Sequence, residues 1–354
     1  MRGDATQQLE MLSPVTPETL VPRGHPIREI RSIVEGALSK LSPVFDAMYA
    51  QVGRPSIPPE HLLKAMLLQV FYSIRSERQL CERLQYDLLF KWFVGLNILN
   101  PVFDHSTFSK NRDRLMEHDV AGRFFEAIRS EARRRHLLSS EHFTVDGTLL
   151  EAWASLKSVV PRDEDGGPPS GKNPDVDFRG QRRTNDTHAS TTDPEARLAR
   201  KGDGKETKLA YAGHVLMENR HGLCLDIRVA RADGYAEREM AEKMLRRVEQ
   251  RHGVNPKTLG ADKGFAAGQF LRTLEEEFEI TPHVPISSRP AAIPPGAGPD
   301  GEARRRMWKR MKTQAYQLSQ KLRKKIEQIF GWLKQSGGLR KTRHVGRWKI
   351  QQVA

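Results

Sequence analysis

Three acidic side chains stand where chemistry is possible: Asp146 in VDGTLLEAWASLKS, Asp262 in GADKGF and Glu327 in KLRKKIEQIFGWLK. Each has an ordinary structural reading, since Asp-Gly and Asp-Lys-Gly are common turns and a Glu four residues after Arg323 is a common helix ion pair. Taken together they allow more. Carboxylates near the ends of two strands that meet a helix carboxylate can hold hard divalent cations through oxygen. Two such ions about 4 Å apart can activate an attacking oxygen and stabilise the leaving oxygen of a phosphodiester.

The surroundings of Glu327 favour that chemistry. Arg304 to Lys349 holds sixteen Lys and Arg against this one acid. The whole chain has 58 Lys+Arg and 44 Asp+Glu, so the remainder carries 42 against 43 and is nearly neutral. The positive charge is local, the footprint expected for a polyanion such as nucleic acid. Trp308, Tyr316, Leu318, Leu322, Ile326, Ile329, Phe330, Trp332 and Leu333 interrupt the charge, which predicts a folded element with a core face. A carboxylate inside such a surface places a cation where the phosphate backbone lies.

At 354 residues the chain is long enough for two or three domains with proper cores. Cys81 and Cys224 are too far apart in sequence to suggest a disulfide framework or a zinc spacing. The longest apolar stretch, LLKAMLLQVFY, is too short to span a membrane, and no basic-then-apolar leader opens the chain. These features predict a soluble protein of the reducing cytosol.

Several elements must position the three acids. Residues 1–25 show no period and predict a flexible lead-in. Residues 26–137 read as four helices forming a DNA-binding domain, the last opening at Ser106 as N-cap. If that helix reads DNA, its exposed positions are Thr107, Ser109, Lys110, Arg112 and Arg114, suited to base edges and phosphates. On charge alone it is as well explained as a solvated face. From 138 to 349 the period changes: a strand carries Asp146 near its end, a polar insertion over 157–206 is taken as mobile, and a hairpin turns at NRHG. A helix from about Glu237 to His252, a short strand ending at Asp262, a loop and a basic helical region over 304–349 follow. This order is α+β or α/β, with an all-helical N-terminal domain.

VDGTLLEAWASLKS, GADKGF and RKKIEQIFGWLK resemble the three acidic motifs of DDE transposases from bacterial insertion sequences, and most closely the insertion-sequence five family. That family's third motif runs Y-x2-R-x3-E-x6-K. Arg323, Glu327 and Lys334 fill its last three places, and Gln320 stands in the Tyr place. GRPSIPPEHLLKAMLLQVFYSIRSERQLCERLQYDLLFKWFVGL and DHSTFSKNRDRL resemble the helical N-terminal domain of the same enzymes. The likeness spans roughly residues 26–349.

The resemblance implies an RNase H-like catalytic domain with Asp146, Asp262 and Glu327 as its metal-binding triad, and Arg323 and Lys334 as DNA contacts. It also implies two Mg²⁺ ions with Mn²⁺ as a substitute, and double-stranded DNA (terminal inverted repeats and target) as partner. A homodimer in the active complex and a bacterial cytosolic, nucleoid-associated location complete the expectation. Two alternatives compete. One is a DNA-binding regulator or transposase remnant without catalysis, kept open by Gln320 and by an end at QQVA where a further helix is expected. The other is a plain nuclease of the same fold, disfavoured by the N-terminal helices.

Overall fold

A computed structural model of the chain describes residues 2–3, 16–50, 52–162, 184–202, 205–234, 236–287 and 298–354. They form two compact units, Met1–Arg135 with Ser336–Gly338, and His136–Gln335 with Leu339–Ala354. Among them no helix is long and apolar enough to cross a membrane.

The first unit is helical: α1 Pro17–Leu20, α2 Ile27–Met48, α3 Pro59–Phe71, α4 Glu77–Tyr86, α5 Leu88–Val94, α6 His105–Glu117 and α7 Val120–Arg134. Most of the lead-in, residues 1 and 4–15, lies outside the described residues. Its end is ordered as α1, where Glu18 accepts hydrogen bonds from Trp92 and Arg28. Pro59 starts α3, where a missing N–H costs nothing.

The four helices expected after residue 26 are six. Asp87 divides the third, ending α4 in an extended conformation while its side chain caps the Phe90 N–H at 3.2 Å. Asp119, at φ 52°, divides the last, because a left-handed residue cannot continue a helix. Asp104, rather than Ser106, caps α6, accepting the Ser106 N–H at 2.8 Å. Phe45, Leu62, Leu68, Leu80, Leu84, Phe90, Phe93 and Phe108 are fully buried and make the core of this unit.

The second unit is built on a sheet. Its elements are β1 His142–Glu151, β2 Val159–Pro161, β3 His188–Ser190, β4 Arg197–Ala199, β5 Lys208–Glu218, β6 Leu223–Arg231, α8 Ala236–His252, β7 Thr258–Gly260, α9 Gly268–Glu276 and β8 Thr281–His283. Helices α10 Gly298–Arg310, α11 Gln314–Arg323, α12 Ile326–Gln335 and α13 Arg347–Val353 complete it. Strand β1 is central. On one side β5 runs antiparallel to it, with Asp146 opposite Val215, and β6 runs antiparallel to β5. On the other side β7 and then β8 run parallel. The resulting order, β6-β5-β1-β7-β8, is three antiparallel strands continued by two parallel ones, with α8 and α9 as the crossovers. That is the strand order of an RNase H-like sheet.

Alternation along β1 explains how a carboxylate reaches solvent from the centre of a sheet. Phe143 and Val145 are fully buried on one face, against Met244, Leu245 and Val248 of α8 and Phe270 and Leu271 of α9. The other face packs Tyr211, Val215 and Val229 against Ile326, Phe330 and Leu333 of α12 and Ile350 of α13. Asp146 falls at the fifth of ten residues in β1, not near its end, so the Asp-Gly turn reading is replaced by a central strand position.

The sequence reading passed over α9 and β8, since TPH is too short for a period and FLRTLEEEFE mixes acids into its apolar stripe. Part of the polar insertion, residues 163–183 and 203–204, lies outside the described residues; the rest is not structureless, because β2 pairs β3 and β4 pairs β5.

Two buried histidines set an acid limit on this unit. Burial holds both His214 and His283 at a pKa of about 4, and Arg310 and His142 add to the effect at His283. A folded value below the unfolded one means the unfolded chain takes up more protons as pH falls. Their stabilising effect is therefore complete above about pH 6.5 and declines toward pH 4, reaching a loss of about 2 kcal/mol per histidine by pH 5. Burial raises the Asp146 and Glu237 carboxyls, which act in the opposite sense. The expected result is that His283→Phe flattens the fall in urea midpoint between pH 6.5 and 5 relative to the unchanged chain. Equal slopes would contradict it.

Candidate metal and DNA site

The central strand, the turn after β7 and the start of α12 bring Asp146, Asp262 and Glu327 to the wall of one cavity of about 610 Å³. Arg323, Glu237 and His214 line it too. Asp146 is half-buried. Its Oδ1 accepts the Gly147 N–H at 2.8 Å, and its Oδ2 accepts from Arg323 Nη1 at 3.1 Å. Burial raises its pKa, the Gly147 bond and Arg323 oppose this, and the negative charges of Asp262 and Glu327 reinforce it. Asp262 caps the short turn after β7, its Oδ1 accepting the Gly264 N–H at 2.8 Å. Glu327 is exposed in the first turn of α12, and its side chain has no hydrogen bond or ion pair among the described residues.

The ordinary reading of Glu327 as a helix partner of Arg323 therefore fails. The basic helix is not continuous: α11 ends at Arg323 and α12 begins at Ile326. Between them Lys325 N–H bonds Leu322 O at 3.0 Å and Gln328 N–H bonds Lys325 O at 3.0 Å, a tightening to three-residue spacing. The junction removes the one-turn spacing on which a helix ion pair between Arg323 and Glu327 depends. The guanidinium turns to Asp146 instead. Gln320, in the Tyr place of the motif, ties Arg323 down: its Oε1 accepts from Arg323 Nε at 3.3 Å while its Nε2 donates to His283 O at 2.6 Å. Lys334 is half-buried, and burial lowers its pKa, with Lys201 and Arg340 acting in the same direction and Glu327 against it. Trp332 and Leu318, expected on the core face, are exposed.

In the helical unit Thr107, Lys110 and Arg114 of α6 are exposed, and the Arg114 guanidinium lies 5.1 Å from the Tyr49 ring. Ser109 and Arg112 are half-buried rather than exposed, because both bond Glu77 of α4.

Two cavity residues escaped the sequence reading. His214, within the apolar run LAYAGHVLME, is buried opposite Gly147 with neither ring nitrogen hydrogen-bonded among the described residues; a lone imidazole in an apolar strand was its visible signal. Glu237 opens α8 and reads in sequence as an ordinary first-turn acid.

Among the described residues no three His, Cys, Asp or Glu side chains gather tightly enough to ligate one ion as they stand. The donor set nonetheless fits a hard cation: it is all oxygen, and among the described residues Glu327 and Asp262 Oδ2 have no hydrogen-bond or ion-pair partner. One oxygen of Asp146 is paired with Arg323 at 3.1 Å.

The strand order is that of an RNase H-like domain, and together with the family matches that follow it defines the class, a DDE-type polynucleotidyl transferase. Two family models match the chain: "Transposase domain (DUF772)" over residues 15–114 and "Transposase DDE domain" over residues 180–354. The second takes in Asp262 and Glu327 and begins after Asp146. The chain belongs to the DDE transposases of the insertion-sequence type, a family that works with divalent metal ions.

Among solved structures it is similar to the "Mos1 transposase paired-end complex with left transposon end", at 11% identity over 95% of this chain and 86% of that one, with a TM-score of 0.23. It is also similar to the "Crystal structure of a pre-cleavage Mos1 transpososome", at 12% identity over 87% and 79%, with a TM-score of 0.22. Scores this low carry no structural argument, and the fold rests on the strand order itself. No curated protein matches the chain.

Proposed function

We propose that this transposase cuts the ends of its own mobile element and joins them to target DNA, with Asp146, Asp262 and Glu327 as catalytic carboxylates and two Mg²⁺ ions as cofactor, Mn²⁺ substituting. The observation that carries this reading is the meeting of three acids from distant parts of the sequence on one cavity wall, beside Lys201, Arg231 and Arg323. The Arg323, Glu327 and Lys334 spacing supports the insertion-sequence five group. Divalent cations, when bound, supply activation of the attacking oxygen and stabilisation of the leaving one.

The chain's own residues do the rest. Asp146, shared between the charges of Asp262 and Glu327, is the centre of the oxygen donor set. Arg323 holds it in place, and a cation bound there would compete for the same oxygen. In the first step water forms a new P–O bond and the 3′-oxygen of the element end leaves with a proton. In the second, that 3′-oxygen forms a P–O bond to target phosphorus and displaces the target's own 3′-oxygen. The phosphorus is attacked directly, so no Ser, Tyr or Cys nucleophile is required. The DNA is double-stranded, the active complex is a homodimer, and the work is done in the bacterial cytosol at the nucleoid.

The test is cleavage of a labelled duplex carrying the element's terminal repeat. Cutting with Mg²⁺ or Mn²⁺, and binding without cutting in Ca²⁺, is expected. Binding with no cutting in any of these metals would favour the regulator or remnant instead.

The helical unit, proposed as residues 26–137, reads the ends through α6. Lys110 is the informative position, because Arg112 also pairs with Glu77 and its loss would disturb folding. In the whole chain Lys110→Ala should weaken end binding and reduce the salt slope of log K by about 1. An unchanged slope would remove Lys110 from the phosphate contacts.

A further inference from the structure

Glu237 lines the same cavity as the three acids, at the start of the crossover helix α8. Its two carboxylate oxygens lie against the glycines that follow Asp146 and Asp262: a Cβ on Gly147 would come 3.4 Å from Oε1, and one on Gly264 3.3 Å from Oε2. A side chain at Gly264 would crowd the carboxylate, and one at Gly147 would touch it. Glu237 thus bridges the strand bearing Asp146 and the turn bearing Asp262. Its side chain is half-buried and has no hydrogen bond or ion pair among the described residues. Its charge is felt alongside those of Asp262 and Asp146, with Arg238 the compensating cation, whereas Glu327 acts on Asp146. A half-buried, unpaired carboxylate in a cavity shared with three others is unfavourable by itself, and a cation seated among them would reverse the sign.

We propose that Glu237 is a fourth cation-facing carboxylate, completing with Asp146 and Asp262 the seat of one divalent ion, while Asp146 and Glu327 serve the other. The assignment rests on the metal-dependent reading above and adds to it a residue outside the motif triad. It separates the two cation positions chemically: the seat on the Asp262 side holds three carboxylates and favours tight binding in the absence of DNA, and the Glu327 side is left with fewer protein donors, to be completed by phosphate oxygens.

The experiment uses the whole chain without DNA and compares it with Glu237→Gln by two readouts, Mn²⁺ binding followed through the paramagnetic signal of the free ion, and thermal midpoint in EDTA and in Mn²⁺. The tightest Mn²⁺ should bind at least about tenfold more weakly in E237Q, in line with the loss of one charged ligand from a small set. In EDTA the E237Q midpoint should rise by a few degrees, because a repelling charge has gone, and the rise on adding Mn²⁺ should shrink. A helix-end carboxylate with no other role predicts the opposite sign in EDTA, since a first-turn acid stabilises the helix dipole. Mn²⁺ affinity within twofold of the unchanged chain overturns the proposal. An unchanged chain that binds no Mn²⁺ at all overturns the metal-dependent reading as well.

Discussion

Glu327→Gln protein is expected to bind an end duplex and leave it uncut. The substitution keeps the volume and one carbonyl oxygen while removing a charge from the oxygen donor set, so cleavage should fall at least about a thousandfold. Binding should hold or tighten, because Glu327 is exposed, has no partner to lose among the described residues, and its negative charge beside phosphate is gone. The same observation excludes a large folding effect: an exposed helix residue without an ion pair contributes a few tenths of a kcal/mol at most. Cleavage within tenfold of normal by folded E327Q protein would remove Glu327 from the site.

The second large effect is at Asp146, where function and stability should move apart. Asp146→Asn should also lower cleavage at least about a thousandfold. Its pKa is raised by burial and by Asp262 and Glu327, against the pull of Gly147 and Arg323. A raised carboxyl favours the folded state most below the unfolded value and loses that favour as pH rises through the folded one. Near neutral pH the ionised Asp146 is therefore a net burden, and Asn should leave the metal-free midpoint equal or higher. Divalent cations should raise the midpoint of the unchanged chain and not that of D146N. A D146N protein that melts well below the unchanged chain in EDTA would show that the Arg323–Asp146 pair is structural.

Much of this was legible in the sequence because the acids sit in short motifs with local signals. VDG follows alternating Phe143 and Val145, GADKGF ends a buried strand, and Glu327 is the one acid in a basic run. What escaped depends on tertiary contact. Nothing local distinguishes Glu237 from any acid in a first helical turn; it matters because the crossover helix begins beside β1 and the turn after β7. The helix ion pair between Arg323 and Glu327 is absent because α11 ends at Arg323 and the guanidinium pairs with Asp146, 177 residues away. Asp87 and Asp119 split two expected helices by capping and by left-handed backbone, effects a hydrophobic period does not register. Ser109 and Arg112 looked free on α6 because Glu77, which binds both, belongs to another helix.

A divalent cation seated among Asp146, Asp262 and Glu327 can be made to mark its own position. Fe²⁺ in place of Mg²⁺, with ascorbate and peroxide, generates hydroxyl radicals that cut the backbone near the bound ion. Cuts are expected in β1 around Asp146, in the turn at Asp262 and at the start of α12, all suppressed by excess Mg²⁺. Cuts confined to other segments, or cuts at these three that Mg²⁺ does not suppress, would contradict a cation at this site.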